Sequence, residues 1–162
     1  MNVEAVMTTD VKSCQPTDTL ARAAQIMWEN DCGCVPVVNE KGEAIGMITD
    51  RDVCMAGYTQ GGRPLCELQV SSAMSNKVYG CAPGDSLEVA EQIMQEHQIR
   101  RLPVLGFEGQ LVGILSLNDL ARAATQKKFS RGSGTKAAAI EATLAAVCQP
   151  RTNHVTAAAN AG

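Results

Sequence analysis

Apolar and polar positions alternate in two rhythms along this chain, and the same succession of rhythms occurs twice. Leu20, Ala23, Ala24 and Met27 follow Asp18 at helical spacing, with Asp18 at the position of a helix N-cap. Leu87, Ala90, Ile93 and Met94 repeat that pattern behind Asp85, and Asp85 with Glu88 reads as a capping-box pair. Each helix is followed by a short apolar run around a proline, first Cys34-Val35-Pro36-Val37-Val38 and then Leu102-Pro103-Val104-Leu105. A proline has no N–H to give a ladder, so these residues belong at a strand start or on a sheet edge. A turn carrying Gly42 or Gly109 leads into a second strand, Ala44–Ile48 or Leu111–Leu115, and a short helix starts after Thr49 and after Ser116. With a first strand before the helix, each half reads strand, helix, strand, strand, helix.

The two halves are copies. At a fixed offset of 67 residues, 18 of the 54 positions from Val3 to Ala56 are identical without a gap, including Cys14/Cys81, Pro36/Pro103, Gly46/Gly113 and Asp52/Asp119. A half of this size alone buries a marginal core, so two are expected to pack together. The expected fold is α/β (α+β): two tandem β-α-β-β-α repeats about a pseudo-twofold, with a groove where they meet, plus a C-terminal helix. The boundaries read as residues 1–57, a connecting loop 58–69 with Gly61-Gly62-Arg63-Pro64, a second repeat 70–125, and a remainder 126–162. In that remainder, 126–134 reads as a Gly/Ser linker. Thr135 caps a helix over 136–148 with Ile140, Leu144, Val147 and Cys148 on one face, Pro150 ends it, and 151–162 reads as a disordered tail.

Composition narrows the function classes. Aromatic residues are only 3%, so Val, Ile, Leu, Met and Ala must build the core. The net charge of −3 and the lack of a basic stripe argue against nucleic acid. No apolar run reaches the roughly 20 residues of a membrane span. Residues 1–10 carry no secretory pattern, and the odd count of seven cysteines suits free thiols in a cytoplasm. Cys32 and Cys34 lack the second ligand pair of a structural zinc site, and a thiol-redox role would rest on these two with Cys54.

Chemistry concentrates in Thr49-Asp50-Arg51-Asp52 and Ser116-Leu117-Asn118-Asp119. In both, a strand ends on a hydroxyl and an aspartate follows three residues later as a helix begins. The first helical turn offers amides and a partial positive charge to a phosphate, and the carboxylate can accept from a ribose diol. The same spacing also makes a simple capping box.

The ordered set Val6-Met7, Pro-x-Asp-[Thr/Ser]-Leu, Pro-Val and Gly-x-[Ile/Leu]-[Thr/Ser]-x-x-Asp, present over residues 3–124, resembles the tandem cystathionine-β-synthase-type (CBS) domain of small stand-alone bacterial proteins. The resemblance implies a cleft for AMP, ADP, ATP, NAD or S-adenosylmethionine as a regulatory ligand, with no catalytic cofactor and no metal. It implies Thr49 and Ser116 on the phosphate side and Asp52 and Asp119 on the ribose. It implies adenine against Ser13, Cys14, Cys34, Val35 and Pro36, or against Gly80, Cys81, Arg101, Leu102 and Pro103. Gly80 departs from the hydroxyl at Ser13, so the two sites are expected to differ. Arg51, Arg100 and Arg101 are candidates to reach ligand phosphates. The expected protein is a non-enzymatic, homodimeric sensor acting through an unidentified effector. The alternative is a scaffold of the same fold without a working site.

Overall fold

The computed structural model describes residues 1–125 and 135–149. The expected linker 126–134, Pro150 and the tail 151–162 lie outside the described residues. The first repeat contains α1 (Leu20–Glu29), β1 (Cys34–Val38), β2 (Ala44–Thr49) and α2 (Asp50–Thr59). The second contains α3 (Leu87–His97), β3 (Arg101–Leu105), β4 (Leu111–Ser116) and α4 (Leu117–Thr125), and α5 (Thr135–Val147) follows. β1 pairs antiparallel with β2 and β3 with β4, in matching register: Pro36 opposes Met47, and Pro103 opposes Ile114.

The first strand of each repeat is shorter than the pattern suggests. Cys14 and Cys81 form single parallel bridges to Val37 and Val104. The Cys14 amide donates to Pro36 O at 3.1 Å, and Val38 N donates to Cys14 O at 2.9 Å. Extending this ladder backwards would need an N–H on Pro36, and extending it forwards would need one on Pro16. Neither exists, so the strand stops at one residue. Pro83 and Pro103 impose the same limit on Cys81. The proline in each run sits mid-strand, with its missing N–H on the side away from the hairpin partner.

The helix caps also differ from expectation by one residue. Thr19, not Asp18, caps α1 by accepting Arg22 N at 3.1 Å, and Ser86, not Asp85, caps α3 by accepting Val89 N at 3.3 Å. Asp18 and Asp85 instead fold back to accept Gln15 N and Ala82 N, closing the turn that precedes each helix.

Repeat and packing unit are out of step. Val3 is fully buried in the second repeat's core with Leu87, Leu102 and Leu115, while Leu68 and Val70 sit in the first repeat's core with Leu20, Val35 and Ile48. Thr8 and Ile114 exchange two backbone hydrogen bonds of 2.9 Å, and Met47 and Ser75 make the equivalent pair. Each repeat therefore donates its leading segment to the other. The crossing is close: a Cβ on Gly46 would lie 2.7 Å from Ser75 O, and one on Gly113 would lie 3.1 Å from Thr8 O.

α5 packs on α3 and α4. Its buried positions are Thr143 and Val147, with Ile140 partly buried against the same core. Leu144, expected on this face, is 48% exposed, and Cys148 is exposed as well. Thr143 sets the rotation. Its hydroxyl donates to Ala139 O at 2.9 Å and accepts Gln95 Nε2 at 2.8 Å, which satisfies a polar group the core would otherwise reject. Among the described residues, no helix is long and apolar enough to cross a membrane.

Candidate functional site

Both hydroxyl-x-x-Asp segments fold as full capping boxes. Thr49 Oγ1 accepts Asp52 N at 3.2 Å, and Asp52 Oδ2 accepts Thr49 N at 2.9 Å and the Thr49 hydroxyl at 2.6 Å. Ser116 and Asp119 repeat this geometry, with Asp119 Oδ2 accepting Ser116 N at 2.8 Å and the hydroxyl at 2.5 Å. Asp119 is buried to 6% exposure, and its Oδ1 accepts from Arg122.

The two boxes differ in what they leave over. A helix start has four amides without intrahelical partners. In α2 all four are taken. Thr49 N and Asp52 N close the box, Asp50 N donates to Gly33 O, and Arg51 N donates to Asp50 Oδ1 at 2.7 Å. In α4 the box takes Ser116 N and Asp119 N, and Leu117 N donates to Arg100 O. Leu117 stands where α2 has Asp50 and has no side-chain oxygen to offer, so the Asn118 amide has no acceptor among the described residues. The Asp50 carboxylate also sets negative charge at the start of α2, and α4 has none at that position.

A cleft of about 330 Å³ lies at the α4 start, walled by both repeats. The leading segment contributes Thr8, Asp10, Val11 and Lys12, the turn after α1 Asn30, Asp31 and Cys32, and β1 Cys34 and Pro36. The second repeat contributes Arg101, Ile114, Ser116, Asn118, Asp119 and Arg122. Of the residues the resemblance named, Cys34 and Pro36 from the first set, Arg101 from the second, and Ser116 and Asp119 line this cleft. Thr49, Asp52 and Arg51 are not among its walls. Ser13 adjoins the wall residue Lys12 without lining the cleft. Cys14, Val35, Cys81 and Leu102 turn their side chains into the two cores. Pro103 is buried, and its carbonyl accepts Cys81 N at 3.2 Å.

The equivalent position near Asp52 is built differently. Lys12 and Asn30 correspond to Tyr79 and His97, whose rings stack with centroids 3.6 Å apart, and Lys77 sits over the Tyr79 ring. A Cβ on Gly80 would meet Leu105 Cδ1 at 2.8 Å and Pro103 O at 2.9 Å. The larger Leu105 stands where the first repeat has Val38, so no hydroxyl side chain fits there as Ser13 does.

The cleft walls carry three cations, Lys12, Arg101 and Arg122, and three carboxylates, Asp10, Asp31 and Asp119, with Lys12 bonded to Asp10 at 2.8 Å and Arg122 bonded to Asp119. Burial pushes the Cys34 thiol up to about 11 against the opposing pull of the Arg101 guanidinium. Burial likewise raises Cys14 to about 12 and Cys81 to about 11. These thiols stay protonated at neutral pH, which makes them apolar wall and core. Among the described residues, no three His, Cys, Asp or Glu side chains gather as metal ligands would.

The CBS-domain profile matches residues 3–58 and 70–125. The chain belongs to the CBS-domain family. The CBS domain-containing protein YhcV of Bacillus subtilis is 42% identical over 120 residues, which span 74% of this chain and 83% of YhcV. The CBS pair of protein MJ0100, solved in complex with 5′-methylthioadenosine and S-adenosyl-L-methionine, superposes with a TM-score of 0.69 at 19% identity, over 76% of this chain and 95% of that one. CBSX2, solved in complex with AMP, gives 0.68 at 24% identity over 78% of this chain and 98% of that one. At those identities the two structures speak for the fold, which is that of a CBS pair.

Sequence reasoning missed most of the cleft's first-repeat wall. Asn118 and Arg122 were within reach of it, being one turn around Asp119. Thr8 to Lys12 were not, because the crossing of leading segments that brings them to β4 leaves no mark in the local pattern.

Proposed function

We propose that this CBS pair is a non-catalytic regulatory module that binds one adenosine-containing ligand per chain, in the cleft at the start of α4. The observation that carries this is the asymmetry of the two helix starts: α2 spends its four amides internally, and α4 keeps the Asn118 amide beside Ser116. A phosphate or carboxylate there also meets the positive end of the α4 dipole and the cation Arg101, with Lys12, paired to Asp10, and Arg122, paired to Asp119, at the same wall. Asp119 is the ribose acceptor. Each carboxylate oxygen has two acceptor directions; Oδ2 spends both on Ser116, and Oδ1, which accepts from Arg122, keeps one for a ribose hydroxyl. Cys34 and Pro36 form the apolar wall for adenine. The volume suits one nucleoside with a short substituent, at the lower end of small-molecule pockets, roughly 300–1,000 Å³. Relatives of this fold crystallised with AMP and with S-adenosylmethionine support the ligand class.

Following the same family resemblance, the working form is a homodimer in the cytoplasm, and ligand binding acts by favouring one of two arrangements of the assembly. Titration calorimetry of ligand-free protein with AMP, ADP, ATP, NAD, 5′-methylthioadenosine and S-adenosylmethionine tests the reading. One site per chain for at least one of them is expected. Heat from none of the six would leave both boxes as helix caps alone and return the protein to the scaffold class.

A further inference from the structure

The charges of the cleft at the start of α4 are sorted by depth. Cys34, Pro36 and Asp119 are buried at its floor, and Arg101 and Ser116 are half-buried beside them. The rim is acidic: Asp31 is exposed, and the Asp10 side chain is 85% exposed. Two of the three cations are committed, since Lys12 bonds Asp10 at 2.8 Å and Arg122 pairs with Asp119. Arg101 makes no ion pair among the described residues, yet carboxylates surround it as well. A Cβ on Gly33 would lie 3.5 Å from Arg101 Nη2 and 3.0 Å from Asp50 Oδ2, so a fourth carboxylate shares its neighbourhood. Arg63, the other cation lining the space that Asp31, Asp50 and Arg101 share, pairs with Glu67 at 3.8 Å.

The rim acids belong to this cleft and not to its twin. The residues 67 positions after Asp10 and Asp31 are Lys77 and Gln98. The backbone is nevertheless the same, because Asp31 and Gln98 both take the left-handed conformation after their helices, at φ 47° and 51°. Gln98 shows that ending the helix needs no charge, so the Asp31 carboxylate adds something the fold does not require. We propose that the cleft selects an adenosine ligand whose 5′ substituent carries net positive charge along with its anionic group, an amino-acid sulfonium such as S-adenosyl-L-methionine, and discriminates against ADP and ATP, with Asp31 as the specificity-determining residue. The inference rests on this cleft being the ligand site proposed above. The carboxylate of such a ligand takes the Asn118 amide and Arg101, the partners a single phosphate would use. Its positive groups face Asp31 and Asp10. The volume of about 330 Å³ holds a nucleoside and a short substituent, so the outer phosphates of ATP would emerge past the rim acids. Like charges placed there act against the wrong ligand as well as for the right one.

The test is titration calorimetry on the full chain and on Asp31→Asn, at low salt, where exposed charges are least screened. S-adenosyl-L-methionine should bind the parent more tightly than AMP, and AMP more tightly than ADP or ATP. In Asp31→Asn, S-adenosyl-L-methionine should weaken about two- to fivefold and ATP should strengthen by a similar factor, the range of one exposed charge pair. 5′-Methylthioadenosine is uncharged and should bind both proteins alike, which shows that the variant's cleft is intact. Tighter binding of ADP or ATP than of AMP overturns the selectivity and leaves the nucleoside module standing. So does an Asp31→Asn variant in which S-adenosyl-L-methionine and 5′-methylthioadenosine change by the same factor. ATP is titrated with and without magnesium, because ATP binding that needs the metal and is lost in Asp31→Asn would make Asp31 a metal contact and overturn the proposal too. No heat from any of these ligands removes the site itself, and the proposal with it.

Discussion

Asp119 holds Ser116 twice through one carboxylate oxygen, at 2.8 Å to its amide and 2.5 Å to its hydroxyl. Asp52 does the same to Thr49, so local structure cannot tell the two aspartates apart, and their surroundings must. Replacing either by Ala should lower stability by about 1 kcal/mol, the usual worth of a helix cap. Ligand binding should separate them. Asp119→Ala should weaken it by roughly 1.5–3 kcal/mol, the value of hydrogen bonds to a charged acceptor, while Asp52→Ala leaves the ligand-induced rise in unfolding temperature unchanged. Equal losses from both would mean that two sites work, or that neither aspartate contacts ligand directly.

The reserved Asn118 amide yields a second prediction. Leu117→Asp copies the Asp50 arrangement into α4, offering Asn118 N an internal acceptor and placing a negative charge at the helix start. Ligands with a phosphate or carboxylate should bind more weakly by about 0.3–2 kcal/mol. 5′-Methylthioadenosine, which has neither, should keep its affinity. Titrating AMP and 5′-methylthioadenosine against the variant distinguishes this from general damage, since a distorted cleft would weaken both.

The crossing of the leading segments rests on two glycines. At Gly46 a methyl group would meet Ser75 O at 2.7 Å, and at Gly113 it would meet Met7 Sδ at 2.7 Å and Thr8 O at 3.1 Å. Either Ala substitution should cost about 1–3 kcal/mol, as overpacking does. Gly46→Ala is the more severe, because its nearest neighbour is backbone and cannot swing aside. Urea unfolding gives the ordering directly; a Gly113→Ala variant less stable than Gly46→Ala would contradict it.

The repeat made the architecture legible: a 67-residue offset with the same prolines, glycines and aspartates could only come from two like units. The hairpins and their boundaries followed from the apolar runs, and the capping boxes from Thr49/Asp52 and Ser116/Asp119. The single-residue strands at Cys14 and Cys81 were harder, since they depend on pairs of prolines, Pro16 with Pro36 and Pro83 with Pro103, meeting across a parallel ladder. The difference between the two boxes was the least legible. It turns on Asp50 against Leu117, a difference that looks like ordinary helix variation until the four amides are counted. The burial of Thr143 in place of Leu144 likewise depends on Gln95, 48 residues away.

Glu91 on α3 has its carboxyl held above the ordinary carboxylate value, chiefly by burial and then by Glu88 one turn earlier. A raised folded-state value means that the folded chain binds more protons than the unfolded one in the interval between the two values. Stability therefore falls as pH rises through that interval, and at neutral pH the ionised Glu91 is a cost. Glu91→Gln should unfold at a higher temperature than the parent at pH 7. The difference should close below about pH 4, where both states of the parent are protonated. A gain that persists at low pH would trace to helix propensity or packing and not to charge.

The seven free thiols sort by environment, and one of them reports on the cleft. Cys54, Cys66 and Cys148 are exposed, whereas Cys14, Cys34 and Cys81 are buried and held at about 12, 11 and 11. Only the thiolate reacts with an alkylating or disulfide reagent, so burial and the raised values act together against the second group. At pH 8 the first three should label fastest, and Cys14, Cys34 and Cys81 should wait for unfolding. Cys32 is intermediate in exposure and lines the cleft at the start of α4. Its labelling should slow when the cleft is filled, while Cys66 and Cys148, which do not line it, keep their rates. Mass spectrometry of the labelled peptides with and without ligand reads all seven at once. Slowing at Cys66 or Cys148 to the same degree as at Cys32 would point to global tightening of the fold, and an unchanged Cys32 in protein that demonstrably binds nucleotide would move the ligand out of this cleft.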